Sequence, residues 1–425
     1  MTDNTAYIVD ICRRAKEASK VLASVPSSLK NRALLAVAEK LVARTDMILE
    51  ANAADLAAAA ENGMKTHMLD RLRLTEKRIL DMSEGVRQVA ALPDPVGETL
   101  WETVRPNGME IVKKRVPLGV IGIIYESRPN VTCDCSALTL KSGNAAVLRG
   151  GKEAVNSNKA IADVFREGLL ETGLPEDSVV FVERTDRAIV NELFGMREYI
   201  DVLIPRGGKG LIANVVENSK VPVIRTGEGN CHTYIDDVFD RNIAVPVVVN
   251  AKTQRPSVCN AMETLLVSEK AAPEILPVLA EELASRGVEL RTCEKSREIL
   301  KRCAPGIAAV LATESDYATE YDDLILAVKV VEDVEEAIEH INRYGTGHSE
   351  AIITNDCAHA EEFRKRVDAA CVYVNCSTRF TDGFEFGFGA EIGISNQKLH
   401  ARGPMGLNEL TSYKYIINGN GQTRE

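Results

Sequence analysis

The chain has 425 residues, of which 45% are hydrophobic and 27% are charged, and its formal net charge is −11. The length predicts two or three domains, and the composition is that of a folded globular protein rather than a disordered one. The negative charge argues against a nucleic-acid-binding surface.

No apolar run reaches the roughly 18 residues that a membrane-spanning helix needs, so no membrane association is expected. The opening segment Met1–Tyr7 lacks the basic and then apolar pattern of a signal peptide, which predicts a cytoplasmic location. The ten cysteines agree with a reducing compartment, because they form no Cys-x-x-Cys pair and no regular framework. No metal site is expected.

The first hundred residues predict helices. Apolar residues recur at helical spacing after Ser28, which is a candidate N-cap. Two further helical segments are predicted at Ala51–Glu61 and Leu72–Leu92.

A β-hairpin is predicted next. Thr103–Arg105 and Met109–Val116 flank an Asn-Gly pair at residues 107 and 108, which suits the positive φ angles of a tight turn. Apolar and charged residues alternate along this ribbon, so we expect it to be exposed or covered by a partner.

From Leu118 onward, short apolar runs alternate with helical segments. This pattern predicts a parallel sheet covered on both faces, as in a doubly wound nucleotide-binding domain. The predicted strands are Gly119–Ile124, Ala145–Leu148, Val179–Val182, Asp201–Ile204 and Val221–Ile224, and the helices include Glu153–Glu171 and Gly208–Asn218.

A second α/β series begins after about Gly229. Its predicted strands are Thr233–Ile235, Thr264–Val267, Leu324–Val331, Ala351–Thr354 and Cys371–Asn375, and its helices include Ala271–Ser285 and Val334–Asn342. The tail Thr411–Ile417 predicts one last strand.

Two glycine-rich basic turns follow strands of the first series. Ligands of open parallel sheets bind at the carboxyl ends of strands, and helix N-termini offer free N–H groups to phosphate, so these turns predict a phosphate-bearing cofactor. The alternative is a pair of ordinary turns whose basic residues face water. The turn residues are Arg149, Gly150, Gly151, Lys152 and Glu153 in the first turn and Arg206, Gly207, Gly208 and Lys209 in the second.

Neither turn has the G-x-G-x-x-G pattern, so the common dinucleotide-binding mode is not indicated. The first turn pairs Arg149 with Lys152 where a ribose-binding acid would favour NAD. This favours NADP(H), although Glu153 keeps the choice open.

Cys259 lies in a bend, where a helical run ends at Arg255-Pro256 and a strand-like run follows. A nucleophilic thiol must be partly ionised and reachable, and a turn near basic groups supplies both conditions. Lys252 and Arg255 are the nearby cations. A structural role for this one cysteine among ten is the alternative.

A polar block at Ser377, Thr378 and Arg379 leads into a Gly/Phe-rich loop at Phe384–Gly389. Short polar groups beside an arginine suit a small anionic ligand. A locally packed surface loop is the other interpretation.

Taken in order, these blocks resemble the aldehyde dehydrogenase superfamily over nearly the whole chain. Val116–Ile124 is similar to its P-L-G-V-x-G-x-I strand, and Lys141–Arg149 is similar to its A-G-N-x-V-V-L-K strand and adenosine-binding turn. Four blocks resemble a branch that reduces L-glutamyl 5-phosphate in proline biosynthesis. They are Tyr125–Thr132, Arg149–Glu153, Gln254–Asn260 and Phe384–Gly389.

The resemblance implies an α/β aldehyde dehydrogenase-like fold with two doubly wound domains and a small β oligomerisation arm. The NADP-binding domain would comprise residues 1–102 and 117–229, the catalytic domain residues 230–408, and the arm residues 103–116 with 409–425. A homodimer or larger homo-oligomer is expected, and glutamate 5-kinase is a candidate partner.

The resemblance also implies the chemistry. The Cys259 thiolate would attack the acyl phosphate and expel inorganic phosphate, and hydride from NADPH would convert the thioacyl enzyme to L-glutamate 5-semialdehyde. Glu320 matches the glutamate that holds the nicotinamide ribose. Candidate oxyanion donors are the Cys259 backbone N–H and either Ser127 or Asn130, of which Asn130 is favoured. The residues expected to bind the substrate are Arg128, Arg255, Ser377, Thr378 and Arg379.

One position departs from the hydrolytic members of the superfamily. Those enzymes use the glutamate of an E-L-G-G motif as a base for water, and aligning the first glycines puts Arg225 there. A reductase has no water to activate, and lacking the base would protect its thioester. A shifted alignment would restore a base at Glu228. The alternatives are therefore a hydrolytic or coenzyme-A-acylating aldehyde dehydrogenase, or a non-catalytic nucleotide-binding paralogue.

Overall fold

The structure, a computed structural model, describes residues 3–424. The chain divides into two compact units. The first comprises the described residues of Met1–Thr226, Gly387–Gly393 and Met405–Glu425, and the second comprises Gly227–Phe386 and Ile394–Pro404. Each unit contains a parallel sheet, and the first also contains a small antiparallel sheet, which confirms the predicted fold class.

The first unit begins with five helices. They are α1 Asp3–Leu22, α2 Ser27–Ala43, α3 Thr45–Glu61, α4 Thr66–Leu72 and α5 Glu76–Ala91. Ser28 lies inside α2 rather than at its N-cap, which is Pro26. The helix predicted over Leu72–Leu92 is present as α5, but it begins only at Glu76, because the Thr75 side chain accepts the Arg78 N–H and caps it there.

The predicted hairpin is present and forms part of a three-stranded antiparallel sheet. Its strands are β1 Thr99–Val104, β2 Glu110–Pro117 and β16 Thr411–Asn418, and β2 lies between the other two. Of the Asn-Gly pair, only Gly108 takes a positive φ angle, 82°.

The parallel sheet of the first unit has the strand order β5-β4-β3-β6. Its strands are β3 Val120–Tyr125, β4 Ala145–Arg149, β5 Val179–Phe181 and β6 Val202–Arg206, and the helices are α6 Pro129–Lys141, α7 Val155–Glu171, α8 Ala188–Phe194 and α9 Lys209–Asn218. The strand predicted at Val221–Ile224 is wrong. Only Val223 bridges to Leu203, since Pro222 has no N–H to continue a ladder.

The register brings the two basic turns to one edge of this sheet. Ile124 of β3 pairs with Arg149, and Tyr125 pairs with Arg206. The two glycine-rich turns therefore leave the carboxyl ends of the strands on either side of β3.

The second unit is a seven-stranded parallel sheet with its helices and a two-stranded ribbon. Its elements are β7 Cys231–Ile235, α10 Arg241–Thr253, β8 Met262–Ser268, α11 Ala272–Ala284, β9 Glu289–Thr292, α12 Glu294–Cys303, β10 Ala309–Leu311, β11 Ile325–Val331, α13 Val334–Tyr344, β12 Ser349–Ile353, α14 Cys357–Arg366, β13 Cys371–Val374, β14 Ile394–Ser395 and β15 Gly403–Pro404. The sheet order is β10-β9-β11-β8-β7-β12-β13. The two outermost strands on one side, β9 and β10, and the helix α12 between them were not predicted.

Each of four adjacent strands of this sheet, β11, β8, β7 and β12, is preceded by a segment that carries a residue of the site described below. Glu320 precedes β11, Cys259 precedes β8, Gly229 precedes β7, and His348 precedes β12. Because the strands are parallel, these residues enter at the amino-terminal edge of the sheet. In the first unit, by contrast, the basic turns lie at the carboxyl-terminal edge of the parallel sheet.

Within residues 3–424, no helix is long and apolar enough to cross a membrane. The same residues contain no cluster of three or more His, Cys, Asp or Glu side chains that could hold a metal ion. All ten cysteines are free thiols.

Candidate active site

Cys259 lies in the turn between α10 and β8, outside any helix or strand, and its side chain is half-buried. The Ala261 N–H donates to the Val258 carbonyl at 2.9 Å and closes the turn around the cysteine. The thiol is therefore reachable and held on an ordered backbone, as a nucleophile requires.

Gly229 packs directly behind this turn. A Cβ atom at Gly229 would lie 1.4 Å from the Cys259 carbonyl oxygen and 2.7 Å from its Cα, so only glycine fits here. The Gly229 N–H donates to the Glu320 carboxylate at 2.8 Å. The residue expected to hold the nicotinamide ribose is thus linked through one glycine to the candidate nucleophile.

The polar block at residues 377–381 lies against the Cys259 turn, as the prediction of a shared anionic site requires. The Asn260 side-chain amide donates to the Arg379 carbonyl at 3.2 Å and to the Thr381 carbonyl at 2.8 Å. The Thr378 hydroxyl donates back to the Asn260 carbonyl at 2.7 Å. The sequence block Gln254–Asn260 includes Asn260, but it predicts no role for this residue, because an asparagine beside a cysteine is not a distinctive pattern.

Two arginines bring positive charge to this part of the second unit. The Arg379 Nε donates to the Gln254 side-chain oxygen at 3.0 Å, and Arg255 is exposed. Burial and then the charge of Arg255 lower the pKa of Arg379, whereas Asp382 and Cys259 act in the opposite direction. A guanidinium stays charged at neutral pH, so Arg379 brings a fixed positive charge to the segment that Asn260 bonds to the Cys259 turn.

Beneath the turn lies a chain of buried polar side chains. The Cys231 thiol donates to the Cys259 carbonyl at 3.2 Å and lies 3.8 Å from the His348 Nδ1. The same Nδ1 is 2.8 Å from the Ser349 hydroxyl. Burial lowers the pKa of His348 to about 4, so this imidazole is neutral at pH 7.

In the first unit, the first basic turn holds Arg149 inward. The Arg149 side chain is buried, its Nη2 donates to the Thr185 carbonyl at 3.1 Å, and its Nε has no hydrogen-bond partner. A Cβ atom at Gly150 would lie 2.2 Å from the Asn158 Nδ2, and one at Gly151 would lie 2.4 Å from the Glu153 carboxylate. Lys152 is exposed.

The second basic turn meets an acid. The Glu126 carboxylate accepts the Gly208 N–H at 3.1 Å, and a Cβ atom at Gly207 would lie 2.6 Å from the carboxyl carbon. The N-terminus of α9 therefore already faces a carboxylate, at the position where the sequence predicted a phosphate. Lys209 and the two glycines are exposed, and Arg206 is half-buried.

The loop between β3 and α6 carries the candidate oxyanion donors. The Asn130 side-chain amide donates to the Asp134 carboxylate at 3.2 Å, whereas Ser127 is buried and Arg128 is the N-cap residue of α6. Burial raises the pKa of Asp134 to about 6, against the opposing influence of Asn130 and Arg206. Asn130 is thus oriented by a neighbouring carboxyl group.

A family model described as the aldehyde dehydrogenase family matches residues 2–294 and 322–416 of the chain. The chain belongs to the aldehyde dehydrogenase family.

Within this family, the similar curated proteins are gamma-glutamyl phosphate reductases. The protein from Carboxydothermus hydrogenoformans is 58% identical over 98% of this chain and 99% of the relative, and the one from Moorella thermoacetica is 58% identical over 97% of each. A crystal structure of the Thermotoga maritima gamma-glutamyl phosphate reductase matches with a TM-score of 0.95 at 54% identity, covering 98% of this chain and 100% of that one. The branch that the sequence motifs predicted is confirmed.

More distant members share the fold. An acetylating aldehyde dehydrogenase from Geobacillus thermoglucosidasius is 18% identical, with a TM-score of 0.70 over 99% of this chain and 98% of that chain.

Proposed function

We propose that this chain catalyses the NADPH-dependent reduction of L-glutamyl 5-phosphate to L-glutamate 5-semialdehyde and phosphate, in the cytoplasm, with Cys259 as the nucleophile. The observation that carries the proposal is the half-buried Cys259 in an ordered turn, which Asn260 bonds to the segment that carries Arg379. The curated relatives from Carboxydothermus hydrogenoformans and Moorella thermoacetica, both named gamma-glutamyl phosphate reductase, support the substrate.

The first unit supplies groups that suit a phosphate-bearing cofactor. The buried Arg149 Nε, which has no hydrogen-bond partner, suits a ligand at the first turn. Within the first unit, Arg149 and Lys152 would hold a ribose phosphate. NADPH, when bound, supplies the hydride that reduces the thioester.

The chain's own groups perform the acyl transfer. The Cys259 thiolate attacks the acyl carbon, and the C–O bond to phosphate breaks with its electron pair on the departing phosphate. Arg379 and Arg255 stabilise the negative charge of that leaving group. The oxyanion of the tetrahedral species would take a hydrogen bond from the Cys259 backbone N–H.

Water has no assigned base in this proposal. The resemblance puts Arg225 where hydrolytic members of the family have a glutamate, with Glu228 as the alternative under a shifted alignment. His348 is neutral at pH 7 and buried rather than exposed beside the thiol. The thioacyl enzyme therefore waits for reduction rather than hydrolysis.

The reverse reaction tests this function. Purified protein is given glutamate semialdehyde and NADP, with and without inorganic phosphate, and then NAD replaces NADP. We expect formation of NADPH that depends on phosphate and is faster than formation of NADH. Oxidation to free glutamate without phosphate would identify a hydrolytic enzyme, and dependence on coenzyme A would identify an acylating one.

The antiparallel sheet suits a role in assembly, and we propose a homodimer or larger homo-oligomer formed through it. Its edge strands β1 and β16 expose large apolar side chains, among them Trp101, Val104, Tyr415 and Ile417. Edge strands of this kind require covering.

A further inference from the structure

Asn260 joins the Cys259 turn to the segment Thr378–Thr381, which we call the phosphate loop. Its side chain is 3% exposed, and its amide nitrogen donates to the carbonyls of Arg379 and Thr381 at 3.2 and 2.8 Å. The Thr378 hydroxyl adds a third bond, to the Asn260 carbonyl, at 2.7 Å. The residue next to the nucleophile is thus bonded to the backbone of Arg379 and Thr381 and to the side chain of Thr378.

The phosphate loop is also anchored on its far side. The Thr381 hydroxyl lies 2.6 Å from the Ser349 hydroxyl and 2.7 Å from the Tyr373 hydroxyl. Ser349 contacts His348 at 2.8 Å, and His348 lies 3.8 Å from the Cys231 thiol, which donates to the Cys259 carbonyl. Together the contacts form a closed ring. It runs from the Cys259 carbonyl through Cys231, His348, Ser349 and Thr381 to Asn260, which follows Cys259 in the chain.

A ring of short, buried contacts fixes distances better than any one bond, because each group is held from two sides. The group carried by this ring is the Arg379 guanidinium, which is also oriented by Gln254 at 3.0 Å. Anion recognition by a guanidinium depends on the placement of its planar set of donors.

We propose that Asn260 is a positioning residue, which holds Arg379 at the distance from the Cys259 thiol that lets the guanidinium bind the phosphate group leaving the acyl carbon. This inference rests on the proposed function. It assigns Asn260 no contact with the substrate, so the effect of replacing it must pass through Arg379.

The test is the KM for inorganic phosphate in the oxidation of glutamate semialdehyde. Asn260→Ala should raise this KM by about 10- to 100-fold, since displacements of about 1 Å carry effects of that size, and should leave the KM for NADP unchanged. Asn342→Ala is the matched control. The Asn342 amide also clamps a loop, donating to the Arg366 carbonyl at 3.0 Å and accepting the Asp368 N–H at 3.0 Å, on exposed surface. It should leave both KM values unchanged.

A double-mutant cycle separates positioning from general structural damage. If Asn260 acts through Arg379, then Asn260→Ala has little further effect on the phosphate KM once Arg379→Gln is present. The inference would be overturned if the Asn260 and Arg379 substitutions raised the phosphate KM additively, or if Asn260→Ala and Asn342→Ala raised it equally. Should Asn260→Ala fail to fold, Asn260→Ser keeps one donor and is expected to give a smaller increase of the same kind.

Alkylation of Cys259 by iodoacetamide at neutral pH gives a second readout that needs no turnover. Removing the cation near the thiol should slow alkylation, and the Asn260 and Arg379 variants should again be non-additive. If the wild-type protein shows no phosphate-dependent oxidation, the proposed function fails, while the alkylation cycle still decides whether Asn260 positions Arg379. Unchanged alkylation in both single variants would contradict the inference.

Discussion

Among single residues, Gly229 shapes the Cys259 turn, although its position in the sequence predicts no role at the site. Gly229 touches the Cys259 backbone so closely that a single methyl group has no space. A nucleophile must be held within about 0.5 Å of its productive position. The absence of a side chain at residue 229 is therefore as important for the site as the thiol itself.

Gly229→Ala should lower the turnover number by at least about 100-fold, because the added methyl group displaces the Cys259 turn. Gly306→Ala is the matched control, since a Cβ atom there would meet nothing within 4 Å and the φ angle is ordinary. Steady-state kinetics of both variants, with circular dichroism to check folding, makes the comparison. Near-normal turnover by Gly229→Ala would show that the contact is not tight in solution.

At the scale of elements, the sequence predicted the alternation of strands and helices and the position of Cys259 in a bend. Apolar runs bounded by turns determine these features locally. The strand predicted at Val221–Ile224 failed because Pro222 interrupts the ladder of hydrogen bonds. The start of α5 was misplaced because Thr75 caps the helix at Glu76.

The linkage of Asn260, Gly229 and His348 to Cys259 was beyond the reach of sequence patterns. These residues meet because the strands β12, β7 and β8 are neighbours, and strand order is not encoded in the local spacing of residues. The proposed nucleophile had a signal in the sequence, a cysteine in a basic bend, whereas the residues that contact its turn had none.

The stability of the second unit should decrease in acid through His348, which lies at the amino-terminal edge of its parallel sheet. The pKa of His348 lies at about 4 in the folded chain, below its ordinary value of 6.5, because burial disfavours the charged form. The unfolded chain therefore takes up this proton first as the pH falls below 6.5. The contribution of His348 to stability is complete above pH 6.5 and decreases toward pH 4.

Between pH 7.5 and pH 5, we expect the free energy of unfolding to fall by about 2 kcal/mol through His348. His348→Gln should lose that part of the pH dependence. Urea unfolding of both proteins at the two pH values measures the difference, in which contributions shared with the variant cancel. An identical pH dependence would show that His348 does not titrate as its burial implies.

At the scale of the whole molecule, the antiparallel sheet of the first unit bears on assembly. Val104 is 67% exposed and Ile417 57% exposed, on the two edge strands. Such side chains on a sheet edge favour association over a solvated monomer.

We expect the wild-type chain to sediment as a dimer or larger species, and the variant Val104→Lys/Ile417→Lys to sediment as a smaller one, since charges on the edges oppose pairing. Analytical ultracentrifugation over a range of concentrations measures this. The replacement of Val238, an exposed loop residue of the second unit, by lysine is the control and should not change the assembly. A monomeric wild-type protein would refute the assignment of the sheet.

In the oxidative direction, Cys259 is proposed to carry an acyl group. Phosphate, and not water, is expected to remove that group from the thiol. Rapid mixing of the enzyme with glutamate semialdehyde and NADP, in the absence of phosphate, should give a burst of about one NADPH per subunit and then a much slower rate. Phosphate added later should restart turnover. Cys259→Ser should give no burst, whereas replacement of the exposed Cys303 by serine should leave the burst intact. Steady oxidation without phosphate, or a burst in the Cys259 variant, would contradict the account.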